Sequence, residues 1–308
     1  MKDAAESRSR LQGIFNITVT PFKADGALDL SALAENIERV IHLGYDGILI
    51  GGTYGEFPTM NPAERADLFR RASDVVNDRV PVMLCSAHSD PRIVRELTEL
   101  AGALGGVPMV TPPFVSEVAD DQIVAFFRQI APAARTGIVI YNAPGIGINL
   151  KVETIEKLAD IAGIVAIKQG DPTLTTIDIL ANRLRGRIRL FWASDLAFLG
   201  PLTAGFDGLS STNSCALPEL ILRSFREIER GNARLAGDLH RLWYPLREIL
   251  RRCGQPQTTK AAMNIRGFRG GSVRPPLLDL APKDRLEVES ALSAIAANSA
   301  SALSELAA

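Results

Sequence analysis

Histidine, cysteine and lysine are scarce in this chain: its 308 residues include three histidines, three cysteines and seven lysines. Cys85, Cys215 and Cys253 are far apart and odd in number. No disulfide framework or zinc ribbon follows from them, and a reducing cytoplasm is their natural setting. His42 and His240 lie inside helical patterns and His88 stands alone, so no cluster of metal ligands is legible and no metal is expected. No apolar run approaches the roughly 18 residues of a membrane span. The first ten residues, MKDAAESRSR, lack the apolar centre of a signal peptide. A formal net charge of -1 gives no basic surface for nucleic acid, and the mixed signs along the chain read as solvated surface. Low-complexity sequence is confined to the Ala/Ser-rich tail after Ala294.

What is present is apolar and periodic. The 46% hydrophobic content suffices for one large core or two small ones. Eight short strand-like runs alternate with helical patterns: Gly13–Thr20, Asp46–Gly51, Val80–Cys85, Val107–Thr111, Gly137–Tyr141, Ile164–Lys168, Ile188–Trp192 and Asp207–Ser210. Between them, Asp29, Asn61-Pro62 and Asp90-Pro91 open helices and Gly44 closes one. A repeat of roughly 28 residues is that of βα units, and the count and length predict a (β/α)₈ barrel. A doubly wound open sheet is the alternative, weakened because no G-x-G-x-x-G follows the first strand. Past Pro218 the strands stop, and helices are expected over Pro218–Arg230, Asn232–Arg252, Thr258–Ile265 and Lys283–Ala297. This divides the chain into a barrel, 11–217, and a helical extension packed on it, 218–308.

In such a barrel the chemistry gathers at the C-terminal strand ends. Those ends are Thr20, the stretch Gly52-Thr53-Tyr54-Gly55-Glu56, Ser86 with His88, Thr111, Tyr141 with Asn142, Lys168, Ser194 with Asp195, and Ser210 to Asn213. Lys168 is the one potential nucleophile among them. It follows the apolar run Ile164–Ile167, where burial costs an ammonium ion dearly and lowers its pKa. A neutral amine there attacks carbonyl carbon to form a Schiff base; a strand-end lysine snorkelling into water is the bland alternative. Tyr141, on the neighbouring strand, is the proton carrier that imine chemistry needs. Backbone N–H groups of the GGTYGE stretch could nest a carboxylate, although a plain tight turn explains the spacing as well. His88 is read as a substrate contact or as an ordinary polar loop residue. The glycine pattern of a phosphate site after strands seven and eight is weak.

The stretches DGILIGGTYGE, VIYNAPG and VAIKQG, in that order, together with VTPF and MVTPPF, resemble the dihydrodipicolinate synthase / N-acetylneuraminate lyase family. The resemblance runs over about residues 11–300. It implies a barrel with C-terminal helices, a homotetramer built as a dimer of dimers, and class I aldolase-type chemistry on pyruvate or another 2-oxo acid. It implies no cofactor, the substrate being held as an imine on Lys168. By the same resemblance Tyr141 shuttles protons and Thr53 supplies a relay hydroxyl. Gly52, Tyr54, Phe114, Ile146, Ser210 and His88 complete the expected substrate site. Four positions depart from the pattern. Tyr54 replaces a second Ser or Thr that helps hold the 2-oxo acid carboxylate. Phe114 replaces a relay tyrosine offered to the neighbouring subunit, Ile146 an arginine for the aldehyde's carboxylate, and Gly147 a hydroxyl residue.

The expected activity is therefore cleavage or condensation of a 2-oxo acid, pyruvate plus an aldehyde. Dehydration of a 3-deoxy-2-oxo sugar acid through the same imine and dihydrodipicolinate synthesis are alternatives. A non-catalytic 2-oxo-acid-binding protein is a further one, against which Lys168, Tyr141 and Thr53 argue together; a metal-dependent aldolase is another, discriminated by whether chelators abolish activity.

Overall fold

The computed structural model describes residues 2–147 and 149–305; of Ile146 and of 300–305 it describes the backbone alone. After a short helix α1 (Ala4–Arg10), strands and helices alternate: β1 (Gly13–Thr18), α2 (Leu30–Leu43), β2 (Gly47–Ile50), α3 (Pro62–Val76), β3 (Val82–Cys85), α4 (Pro91–Ala103), β4 (Val107–Val110) and α5 (Asp120–Ile130). The second half continues with β5 (Ile138–Asn142), α6 (Val152–Ala159), β6 (Ile164–Gln169), α7 (Leu174–Leu184), β7 (Arg189–Trp192), α8 (Leu199–Ala204) and β8 (Gly208–Ser211). All eight strands are parallel and pair in chain order, and β8 closes on β1. The expected (β/α)₈ barrel is thus the fold, and each expected strand is present.

The local reasons are those the sequence carries. Strands such as GILI and IVIYN are buried along their whole length, as parallel strands covered on both faces must be. Asp29 accepts from the Ala32 N–H at the start of α2, and Gly44 ends it at φ +94°. Asn61 and Glu64 form a reciprocal cap on α3. The barrel's interior is plugged by Phe15 and Phe191, packed edge to face with ring centres 4.9 Å apart. Glycines make that possible. A Cβ at Gly47 would meet the Phe15 ring at 2.4 Å, and one at Gly208 would meet Phe191 at 2.5 Å.

Beyond the barrel lie α9 (Pro218–Glu229), α10 (Ala233–Leu242), α11 (Tyr244–Cys253), α12 (Gln257–Ile265) and α13 (Pro282–Glu305). Helix α9 lies against α2 and α8 of the barrel and, more extensively, against α10, so it joins the barrel to the helices that follow. The single helix expected over Asn232–Arg252 is two. It breaks at the fully buried Trp243, and Pro245 sits where a helix start tolerates its missing N–H. The last helix runs on to Glu305, past the expected Ala297, because its Ala/Ser-rich end keeps helical backbone. Helix α1 has no expected counterpart; Asp3 caps it through the Glu6 N–H. Among the described residues no helix is long and apolar enough to cross a membrane.

Candidate active site

Parallel pairing of β5 and β6 sets Tyr141 opposite Lys168. Alternation along β6 sends Ala166 and Lys168 to one face and Ile167 and Gln169 to the other. Lys168 is only 3% exposed. Burial lowers its pKa to about 7, while the Cys85 thiol and the Asp195 carboxylate pull the other way. Cys85 is itself pushed up by burial and stays a neutral thiol, so Asp195 is the charge that counts. The amine is therefore substantially neutral near pH 7 and able to attack a carbonyl.

Tyr141 is buried, and burial raises its phenol pKa well above the usual value, against a lowering by Thr53. Its hydroxyl lies 2.7 Å from Thr53 Oγ1, within a hydrogen bond in which either oxygen can donate. The phenol thus stays protonated and can give or relay a proton. Thr53 opens a 3-10 turn, Thr53–Gly55, directly after β2, and a second such turn, Phe57–Thr59, follows. The GGTYGE stretch holds the first of these turns, and the second starts at the next residue, Phe57. Gly55 O accepts from Thr20 Oγ1 at 2.6 Å, which ties the turn to the end of β1.

A cavity of about 320 Å³ opens at this end of the barrel. Lys168, Tyr141, Thr53 and Tyr54 line it, with Trp192 and the 143–145 segment among its other walls. Lys168 is the one charged side chain among the described residues lining it. Tyr54 is half-buried and its phenol pKa is raised by burial. A larger groove of about 650 Å³ lies between α9, α10, α12 and α13, away from the strand ends, and no lysine, cysteine or histidine lines it.

The other expected contacts are distributed unevenly. Gly52 is buried at the start of the turn, where a Cβ would meet Leu49 Cδ2 at 3.0 Å. The Ser210 hydroxyl donates to Trp192 O at 3.0 Å and is spent on the β7–β8 edge. His88 Nδ1 accepts from the Asp90 N–H at 2.9 Å, a local turn leading into α4, and burial lowers its pKa. Phe114 is half-buried against the core, its Cβ 3.7 Å from the position a Cβ on Gly147 would take. None of these four lines the cavity. The backbone of Ile146 ends the Pro144–Ile146 turn at the cavity's rim, and its side chain lies outside the described residues.

Two features were not legible along the chain. Asp195 is buried, with burial raising its pKa against the pull of its donors. Asn213 Nδ2 gives to Oδ1 at 2.8 Å, while Ser211 Oγ and the Asn213 N–H give to Oδ2 at 2.5 and 2.8 Å. On the opposite side Glu56 pairs with Lys260 of α12, both 1% exposed. Breaking such a buried pair from one side costs roughly 3–5 kcal/mol. Among the described residues no three His, Cys, Asp or Glu side chains converge as a metal site would require.

Comparison with known proteins points the same way. The 4-hydroxy-tetrahydrodipicolinate synthase 2 of Halalkalibacterium halodurans is 30% identical over 279 residues, 90% of this chain and 95% of that protein. The synthase structure from Methylacidiphilum fumariolicum SolV superposes with a TM-score of 0.89 at 26% identity, over 95% of this chain and 98% of that one. The Thermotoga maritima dihydrodipicolinate synthase gives 0.87 at 28% identity, over 92% and 98%. The sequence profile of the Dihydrodipicolinate synthetase family matches residues 10–295. With its buried strand-end lysine and paired tyrosine, the chain belongs to that family of class I aldolase-type lyases.

Proposed function

We propose that this chain joins or parts a 2-oxo acid and an aldehyde through an imine on Lys168. One observation carries the reading: a buried lysine with a pKa near 7 stands in register with a tyrosine whose hydroxyl is bonded to Thr53. In the condensing direction the neutral Lys168 amine adds to the ketone of pyruvate, and loss of water gives the imine. The protonated imine withdraws electrons from C2; Tyr141, having given its own proton to the departing water, takes one from C3 as the phenolate, and an enamine forms. The enamine carbon adds to the aldehyde carbonyl; Tyr141, relayed by Thr53, gives the proton that the new alkoxide needs. Hydrolysis then frees Lys168. The imine itself is the electron sink, so neither a metal nor an organic cofactor has a part to play. The resemblance also carries a homotetramer into this reading, and the sparse cysteines a cytoplasmic setting.

For the aldehyde, the cavity favours a partner uncharged at its far end. Lys168 is committed to the imine, and no second cation lines the described walls. Isoleucine at 146 offers neither charge nor hydrogen bond in any rotamer. The names of the relatives favour a second reading, synthesis of 4-hydroxy-tetrahydrodipicolinate from aspartate semialdehyde.

Borohydride reduction in the presence of pyruvate tests the imine. A pyruvate-derived mass is expected on the Lys168 peptide, with or without chelator, and none in Lys168→Arg, whose guanidinium stays protonated. Labelling at another lysine, or at none with any 2-oxo acid tried, rejects the reading.

A further inference from the structure

A buried ion pair that the proposed chemistry does not use ties the helical extension to the Thr53 turn. Glu56 is the hinge between the two 3-10 turns and adopts φ +59°, a left-handed conformation that a residue with a side chain rarely takes. Its N–H closes the turn on Thr53 O at 3.0 Å. Its carboxylate is gripped from outside the barrel, by Lys260 Nζ through one oxygen and by the Arg274 N–H at 3.0 Å through the other. Lys260 also gives to Ser272 O at 2.8 Å and stands 4.6 Å from the Phe22 ring centre. The preceding residue, Thr259, reaches the other side of the site, giving from Oγ1 to Asn213 Oδ1 at 2.8 Å; Asn213 in turn holds Asp195. Two consecutive residues of α12 thus hold the turn that carries Thr53, through Glu56, and the Asp195–Asn213 pair, next in sequence to the lining residue Ser194.

We propose that Lys260, through Glu56, is a positioning residue for the proton relay. It holds the strained turn so that the Thr53 hydroxyl stays within hydrogen-bond reach of Tyr141. This rests on the imine reading above. The geometry fits: Glu56 is three residues from Thr53, the turn is closed by a bond between these two residues, and a left-handed non-glycine backbone persists only where its surroundings enforce it. Removing the Lys260 charge lets the turn relax and lengthens the Thr53–Tyr141 distance. Proton transfer is then lost more than substrate binding, which does not pass through that bond.

The test uses the full chain as Lys260→Met, as Glu56→Gln, and as the double variant, which leaves no unpaired buried charge. Borohydride trapping with pyruvate counts competent sites. Exchange of the pyruvate methyl hydrogens into D₂O and aldol turnover are then measured per trapped site. Exchange and kcat should fall about 10- to 100-fold, the effect of displacing a reacting group by an ångström. The KM for pyruvate should stay within about threefold, as when an interaction specific to the transition state is lost. The double variant should regain thermal stability without regaining exchange. Parental exchange per trapped site in either single variant, or recovery of stability and exchange together in the double variant, overturns the inference. Failure of the parent to trap any 2-oxo acid at Lys168 rejects the imine reading, and this inference with it.

Discussion

Lys168 Nζ stands 4.3 Å from the centre of the Tyr141 ring, while the Tyr141 hydroxyl is turned to Thr53 at 2.7 Å. The amine therefore meets the ring's face and not its hydroxyl. That face favours an ammonium modestly, and burial opposes it more strongly. Tyr141 cannot simply neutralise Lys168 as an adjacent base; its proton is held ready for oxygen atoms of a bound substrate.

The rate of imine formation with pyruvate should follow the neutral fraction of Lys168. It should rise with pH and level off above about pH 7. Stopped-flow measurement at saturating pyruvate checks this. A rate still climbing towards pH 10, roughly where an unperturbed lysine titrates, would mean that burial does not tune the amine.

The same shift appears in stability. The unfolded chain keeps the Lys168 proton up to about pH 10.4, the folded chain only up to about 7. Between these values the unfolded state binds more protons, so Lys168 makes stability rise with pH across that window. Its cost is present in full below pH 7, on the order of 4–5 kcal/mol, and vanishes above about pH 10.4. Lys168→Met should therefore gain over the parent at pH 7 and lose that gain by about pH 10. Guanidinium unfolding at several pH values reads the difference; a pH-independent difference contradicts it.

Tyr141→Phe should keep the fold and lose turnover by about 100-fold or more, the usual worth of a positioned acid–base group. The missing hydrogen bond to Thr53 should cost only about 1 kcal/mol of stability. Steady-state kinetics and a thermal melt check both halves, and near-parental turnover would remove Tyr141 from the mechanism.

Aspartate semialdehyde should be a poor partner. Its carboxylate calls for an arginine fork, and set against isoleucine it would lose hydration without compensation. Phe114 also lacks the phenol that the family's synthases offer to a neighbouring subunit. A coupled assay with pyruvate and the semialdehyde, run beside neutral polyol and aromatic aldehydes, decides it. Turnover of the semialdehyde with kcat/KM above roughly 10⁴ M⁻¹s⁻¹ would be ordinary enzyme performance and would refute this expectation.

Much of the architecture was legible along the chain because it is local. Strands buried on both faces read as short apolar runs, and Asn61-Pro62 and Asp90-Pro91 mark helix starts by backbone chemistry alone. Lys168 and Tyr141 stand out for the same reason: each is a polar residue at the end of such a run, and adjacent parallel strands must bring them together. The break at Trp243 was missed because helical periodicity runs through it. The Ala/Ser tail lacks an amphipathic face, so its helix left no periodic trace.

What tertiary structure alone decided is the company these residues keep. His88 and Ser210 sit at strand ends as expected, yet each spends its hydrogen bond on a backbone neighbour, which no spacing reveals. Glu56 meets Lys260 across 204 positions of sequence, and Asp195 meets Asn213 and, through it, Thr259. Such pairs arise only when the barrel closes and the extension packs against it. Their burial, and so their effect on the site, is a property of that closure and of no single stretch of chain.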